Sequence, residues 1–246
     1  MRADLARIRP LRERFLADAA FQVRYHAHHE RGWTDSYVLT AGDTDIGYGS
    51  VKGRDIADRD TVFEFLVLPP FEGSASSLFG DLLTASGVTH IEAQTNDPLM
   101  AAMLFEFGHD IRADVMLFDA CVRTSHVVPG TVFRRRREGD AVFAHTTEPV
   151  GDYVVERDGE IAGTGGFLLH YNEPFADVFM EVAEPHRRQG IGSFLVQEIV
   201  KQCYLHGRIP AARCHIRNVA SRATLAKAGM RRCGFLLMAD AVRTAG

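Results

Sequence analysis

Cysteine is scarce in this chain, four in 246 residues (Cys121, Cys203, Cys214, Cys233), and no two form a C-x-x-C pair. That removes a structural zinc ribbon and a thioredoxin-type redox site, and it predicts reduced, mostly buried thiols of a cytoplasmic protein. No apolar run approaches the roughly 20 residues a membrane helix needs, so no membrane partner is expected. The first twenty residues mix Asp4, Glu13 and Asp18 with arginines and lack an apolar core, unlike a signal or transit peptide. Basic excess is missing too: 28 Lys and Arg face 32 Asp and Glu, a net charge of -4. Without a basic field, nucleic acid is not an expected partner, and the mild acidic balance suits a cationic substrate. Neither a complete G-x-G-x-x-G fingerprint nor a G-K-[ST] phosphate loop stands where a dinucleotide or nucleotide site would need one.

What the chain does have is internal repetition. "YVLTAGDTDIGYGSV" begins at Tyr37 and "YVVERDGEIAGTGGF" begins 116 residues later, at Tyr153. At that offset Gly47 meets Gly163, Gly49 meets Gly165, and Pro69 meets Pro185. Further on, Asn96 answers Asn218, Gly108 answers Gly229, and Asp119-Ala120 answers Asp240-Ala241, at slightly longer spacing. Matches in order at nearly constant spacing indicate a tandem duplication, residues 1–125 and 126–246, punctuated by "SHVVPG" at 125–130.

Each copy reads as alternating α and β elements, a mixed α/β sheet with covering helices. In the second copy the pattern predicts a hairpin over 153–156 and 161–170, then a strand over 177–183. A helix over 193–205, a strand over 213–216, a helix over 219–228 and a strand over 235–239 follow. The first copy adds a leading helix over 11–30, with Phe15, Leu16, Ala19 and Val23 on one face. The second copy has strand and loop there instead, which leaves its acceptor side to be walled by the first.

The segment "EPHRRQGIGSFLVQEIV", 184–200, sets two arginines and two glycines between a strand and a helix. A strand–loop–helix of this kind turns unpaired N–H groups and the positive end of a helix toward a polyanion. Gly190 and Gly192 let a phosphate approach the backbone, and Arg187 and Arg188 offer guanidinium donors shaped for it. A pyrophosphate is the implied ligand. Shifted back by the repeat, Arg187, Gly190 and Gly192 become Phe71, Ser74 and Ser76, with Glu72 in place of Arg188. An aromatic and a carboxylate there would block and repel the same anion.

These residues carry a resemblance. "VAEPHRRQGIGS" is similar to the acyl-CoA signature of the GCN5-related N-acetyltransferases (GNAT), Q/R-x-x-G-x-G/A, with Arg187, Gly190 and Gly192 in its three positions. "NVASRATLAKAGM", 218–230, resembles that family's second CoA-side motif. The resemblance implies two tandem GNAT-like domains, the first degenerate, each a mostly antiparallel sheet with a splayed strand pair and flanking helices. It implies acetyl-CoA as co-substrate, no metal, and a small-molecule or peptide amine as acceptor, entering between the copies of a monomer or homodimer. It assigns CoA binding to Val182, Ala183, Arg187, Arg188, Gln189, Gly190, Ile191, Gly192, Ser193, Asn218 and Ser221. It further implies that backbone N–H groups over 182–184 polarise the thioester carbonyl.

Glu181, in the strand before the signature, is the implied base. Many members carry a tyrosine seven residues after the asparagine to protonate the leaving thiolate; here that position is Leu225. His215 is the substitute considered, with Tyr171 and Glu173 behind it. The alternatives that stay open are an acyl-CoA-binding or scaffold module without turnover, and transfer of another acyl group. "YHAHHE", 25–30, reads as a solvated helix face rather than a metal site, and "RRRR", 134–137, as residues alternating between ion pairs and solvent.

Overall fold

The computed structural model describes residues 1–18, 23 and 26–242. In chain order the elements are β1 (Arg2–Ala3), α1 (Leu5–Asp18), α2 (His26–Glu30), β2 (Thr34–Ala41), β3 (Thr44–Lys52), β4 (Thr61–Val67), α3 (Ala75–Ser86), β5 (His90–Gln94), α4 (Pro98–Phe107) and β6 (Gly108–Cys121). There follow β7 (Thr131–Arg135), β8 (Tyr153–Arg157), β9 (Glu160–Leu168), β10 (Phe175–Val182), α5 (Ile191–Leu205), β11 (Ile209–His215), α6 (Val219–Lys227) and β12 (Met230–Ala241). Among the described residues no helix is long and apolar enough to cross a membrane.

Two compact units result, and they are not contiguous in sequence. The first draws on the chain before Met116 and from Gly234 onward; the second draws on Met116–Cys233. Strand β12 changes allegiance at Gly234, and its residues 236–240 pair antiparallel with β5 inside the first unit.

In the first unit the sheet runs β1-β2-β3-β4-β5 and then β12. One face meets α3 and α4 through Phe65, Phe79, Leu82, Ile91, Met100 and Leu104, all buried. The other face meets α1 through Ile8, Phe15 and Tyr48. The helix expected over 11–30 is two helices, α1 starting six residues earlier at Leu5 and α2 starting at His26. Pro10 lies inside α1, in its second turn. The start signal is Asp4, whose carboxylate accepts the Arg7 N–H at 2.8 Å as an N-cap does. Ala19 lies outside the described residues.

Between α1, α2 and the sheet, Glu64 is fully buried and accepts from Arg12 (3.2 and 3.3 Å), His29 Nε2 (3.1 Å) and the Tyr48 hydroxyl (3.1 Å). His29, expected on a solvated face, is therefore a buried partner of Glu64; Thr34 Oγ1 meets its Nδ1 at 3.1 Å.

The second unit orders its strands β7-β8-β9-β10-β11, with β6 beside β11. Its core is Ala162, Leu195, Val196, Ile199, Cys203, Ala212 and Leu225. Helix α5 begins two residues before the expected 193, β11 four before the expected 213, and the last strand runs over 230–241 rather than 235–239. Gly165, a glycine repeated in both copies, has a packing reason: a Cβ there would lie 2.6 Å from the Phe179 carbonyl and 2.7 Å from Ile199 Cδ1. Arg134 of the arginine run bonds Asp140 and Glu156, each at 2.8 Å.

The feature that makes a site possible is the ladder between β10 and β11. It is parallel and holds only three residue pairs, Phe175–Asp177 against Ile209–Ala211. From Val178 and Ala212 onward the two strands do not pair with each other, which leaves a gap in the sheet. The corresponding ladder in the first unit, β4 with β5, holds two pairs.

Candidate active site

The Arg/Gly loop sits where β10 hands over to α5. A 3-10 turn, Glu184–His186, is followed by Arg187 in extended conformation, Arg188 at φ 60° and Gly190 at φ 83°. The first helical hydrogen bond of α5 runs from Phe194 N–H to the Gly190 carbonyl at 3.0 Å. The N–H groups of Ile191, Gly192 and Ser193 precede it and lead out of the helix end, toward an anion-binding position. Gly192 is glycine for space: a Cβ would lie 3.2 Å from Thr224 Cγ2 and 3.5 Å from Met180 Cε and Val182 Cγ2. It lets α5 close onto β10 and α6.

Two expected contributors are engaged within the protein. Gln189 donates to the Pro185 carbonyl at 2.9 Å and accepts from Arg157, so it offers an anion its backbone alone. Arg187 Nε donates to the Val182 carbonyl at 3.0 Å, which holds the guanidinium beside the end of β10.

Strand register decides which N–H can polarise a carbonyl in the gap. Ala183 donates to the Ala162 carbonyl of β9 at 3.0 Å, so its N–H is spent. Along a strand successive N–H groups point to opposite sides, so Val182 N–H turns toward the gap. Of the residues expected there, 182–184, Ala183 has its N–H engaged in the sheet, while that of Val182 lies on the side of the gap.

At the start of α6, Asn218 Oδ1 caps the helix by accepting Ser221 N–H at 3.0 Å, and Ser221 bonds the Cys214 thiol. Both residues shape the helix start before they meet any ligand. Leu225 is buried in the core. Burial pushes the Cys203 thiol up to about 12, far from a nucleophile's range. His215 has its ring oriented: Nδ1 accepts Arg217 N–H at 3.1 Å, so the neutral ring carries its proton on Nε2 and can donate it. Of the two groups considered behind it, Tyr171 is fully buried and Glu173 pairs with Arg208 at 2.6 Å.

Glu181 faces away from α5, since Met180 and Val182 face it. Its carboxylate accepts five hydrogen bonds at 2.9–3.2 Å, from the N–H and hydroxyl of Thr146, the N–H and hydroxyl of Thr147, and the N–H of Glu148. Burial alone would raise its pKa, but the N–H groups of Glu148, Thr146 and Thr147 and the Thr146 hydroxyl bring it down to about 2. A carboxylate so saturated is a poor proton acceptor at neutral pH. The expected base is instead the anchor of the loop over 145–148.

That loop carries residues the sequence reading missed. His145 Nδ1 donates to the Glu148 carbonyl at 2.9 Å, its Nε2 meets Thr164 Oγ1 at 3.0 Å, and its ring stacks on Phe143. Glu148 is exposed as a residue, but its carboxyl is partly enclosed; that desolvation and the neighbouring Asp177 and Glu181 charges raise its pKa, against the opposing pull of Arg213 and His145. Nothing in the linear pattern of "HTTEPVG" signals an attachment to a strand 33 to 35 residues away.

At the equivalent place in the first unit, a 3-10 turn, Pro69–Ser74, leads into α3. Ser76, in the helix's first turn, donates to the Glu106 carboxylate at 2.8 Å. A negative charge thus stands at the helix end that would otherwise face an anion. His109, Asp110 and Asp240 of this unit bring potential ligand atoms within 4.8 Å, but two of them are exposed, and Asp240 pairs with Arg112.

The acetyltransferase (GNAT) family model matches residues 122–230. That segment is a GNAT-family domain, the class that transfers acyl groups. An acetyltransferase from the GNAT family of Colwellia psychrerythraea shares the fold at a TM-score of 0.76, with 14% identity over 98% of each chain. A GCN5-related N-acetyltransferase from Sphaerobacter thermophilus gives 0.57, with 15% identity over 98% of this chain and 93% of that one. A tandem GNAT protein from the clavulanic acid biosynthesis pathway gives 0.54, with 16% identity over 86% and 84%. No curated protein matches the sequence.

Proposed function

We propose that the chain is an N-acetyltransferase that moves an acetyl group from acetyl-CoA to the primary amine of a small molecule or peptide, using the second unit. The observation that carries this reading is the Gly190-capped end of α5 set beside a parallel ladder that stops after three pairs. The helix end, with Arg187 and Arg188, suits a pyrophosphate; the gap beyond Asp177 suits an extended pantetheine arm. Val182 N–H polarises the thioester carbonyl, and His215 Nε2 protonates the departing sulfur. In this reading the first unit is a degenerate copy that holds no donor, because Glu106 stands at the helix end where the anion would lie and Phe71, the counterpart of Arg187, packs against the core.

Calorimetric titration with acetyl-CoA tests the reading. One site per chain is expected, and Arg187→Glu weakens it about 10- to 100-fold, the worth of one charge-assisted contact. The same change at Phe71 leaves the affinity within a factor of two. Two sites per chain, or equal losses at both positions, would overturn the assignment of a single donor site.

A further inference from the structure

The proposed reaction needs a group that accepts a proton from the incoming amine, and Glu181 is saturated. We propose that Glu148 takes that proton, and that its carboxylate also draws in the acceptor as an ammonium ion. This rests on the acetyl-transfer reading above.

Geometry carries it. Ala212 and Cys214 of β11 lie in the core with α5, so Arg213 and His215 project from the opposite face by strand alternation. Asp177 and Glu181 of β10 share that face, because Met180 and Val182 turn toward α5. Glu148 is held over the same face by its own N–H on Glu181 Oε2 at 3.0 Å and by His145 on its carbonyl at 2.9 Å. The Glu148 side chain is thus the one carboxylate of the 145–148 loop, set on the face that carries His215 and beside the unpaired stretch of β10 and β11.

The charged groups around it are Asp177 and Glu181 of β10, Arg213 of β11 and His145 of its own loop. Asp177 is itself paired with His170 at 2.9 Å, and Glu181 is held by its five donors. Glu148 is the solvent-accessible carboxylate of the group, and the two acidic neighbours raise its basicity.

The proton count closes. Glu148 takes one proton from the ammonium and passes it to solvent. The freed nitrogen lone pair forms the N–C bond with the acetyl carbon, and the C–S pair leaves on sulfur. His215 Nε2 gives its proton to sulfur, and the second nitrogen proton replaces it. The products are an amide, a free thiol and one proton released.

The test is thiol release from acetyl-CoA with ethylamine, spermidine, lysine and glycylglycine offered together as probes, from pH 5 to 9. Wild-type kcat/KM should fall on the acidic side as Glu148 protonates. In Glu148→Gln it should drop about 100-fold or more, and the acidic limb should disappear, with acetyl-CoA affinity unchanged. Glu148→Asp, which keeps the carboxylate one methylene further back, should recover part of the rate and the limb. Wild-type turnover with an unaltered rate and pH profile in Glu148→Gln would overturn the role of Glu148 alone. Bound acetyl-CoA with no thiol release from wild type would overturn the transfer reading, and this proposal with it.

Discussion

Replacing Arg12 by methionine should cost the first unit about 3–5 kcal/mol at neutral pH, the usual penalty for leaving a buried charge without its partner. Glu64 is fully enclosed, and Arg12 gives it two of its four hydrogen bonds. Burial alone would raise the Glu64 pKa, but His29 and Arg12 hold it well below the ordinary carboxylate range. A depressed folded-state pKa means the stabilisation is present above the unfolded value, about 4.3, and is lost as the pH falls through the folded one. In the Arg12→Met chain the carboxyl protonates more readily, so the deficit against wild type should shrink on acidification toward pH 4. Urea denaturation at pH 7 and at pH 4 measures this. An equal deficit at both would mean that Arg12 acts through its packing rather than its charge.

The second large effect belongs to Glu181. Glu181→Ala strips the acceptor from the N–H groups of Thr146, Thr147 and Glu148 at once. With hydrogen bonds to charged groups worth about 1.5–3 kcal/mol, the 146–148 segment should open at least about 100-fold more often. Amide exchange at these three positions reads it directly. Turnover should fall with it, because the same loop positions Glu148, while acetyl-CoA affinity should hold. In the wild type the protection should persist at pH 5 and fade between about pH 4.5 and 2, where the depressed Glu181 pKa lies. Unchanged exchange in Glu181→Ala would show the loop to be held by other means, and would return Glu181 to consideration as the base.

These two sites also show where sequence reading succeeds and where it stops. The α5 loop was legible because its meaning is local: glycine at positive φ, arginines beside it and an apolar period behind it all fall within seventeen residues. The hairpin of β8 and β9 was legible for the same reason, with Asp158-Gly159 as its turn. The Glu64 network was not, because Arg12, His29 and Tyr48 approach it from three other elements. A histidine three positions from an exposed one looks solvated until the sheet it faces is known. The bonding of Glu181 was not legible either: strand alternation sets its face, but its donors come from an irregular segment with no period to read. Ala183 and Val182 are adjacent in sequence and opposite in the direction of their N–H groups, a distinction that only the pairing with Ala162 reveals.

The exchange of allegiance at Gly234 bears on how the protein is made. The first unit's β5 receives its neighbour from residues 236–240, more than a hundred positions beyond the repeat boundary. A ribosome that has finished 125 residues has therefore made most of the first unit and left one sheet edge open. His90–Gln94 must wait, with unpaired N–H and C=O groups, while more than a hundred further residues emerge. Dividing the gene at the repeat boundary would make that interval permanent: the first half would carry a bare edge, and the second a strand without its sheet. A chain cut after Cys233 would expose the same edge, and a separately supplied 234–246 peptide is the natural reagent to close it.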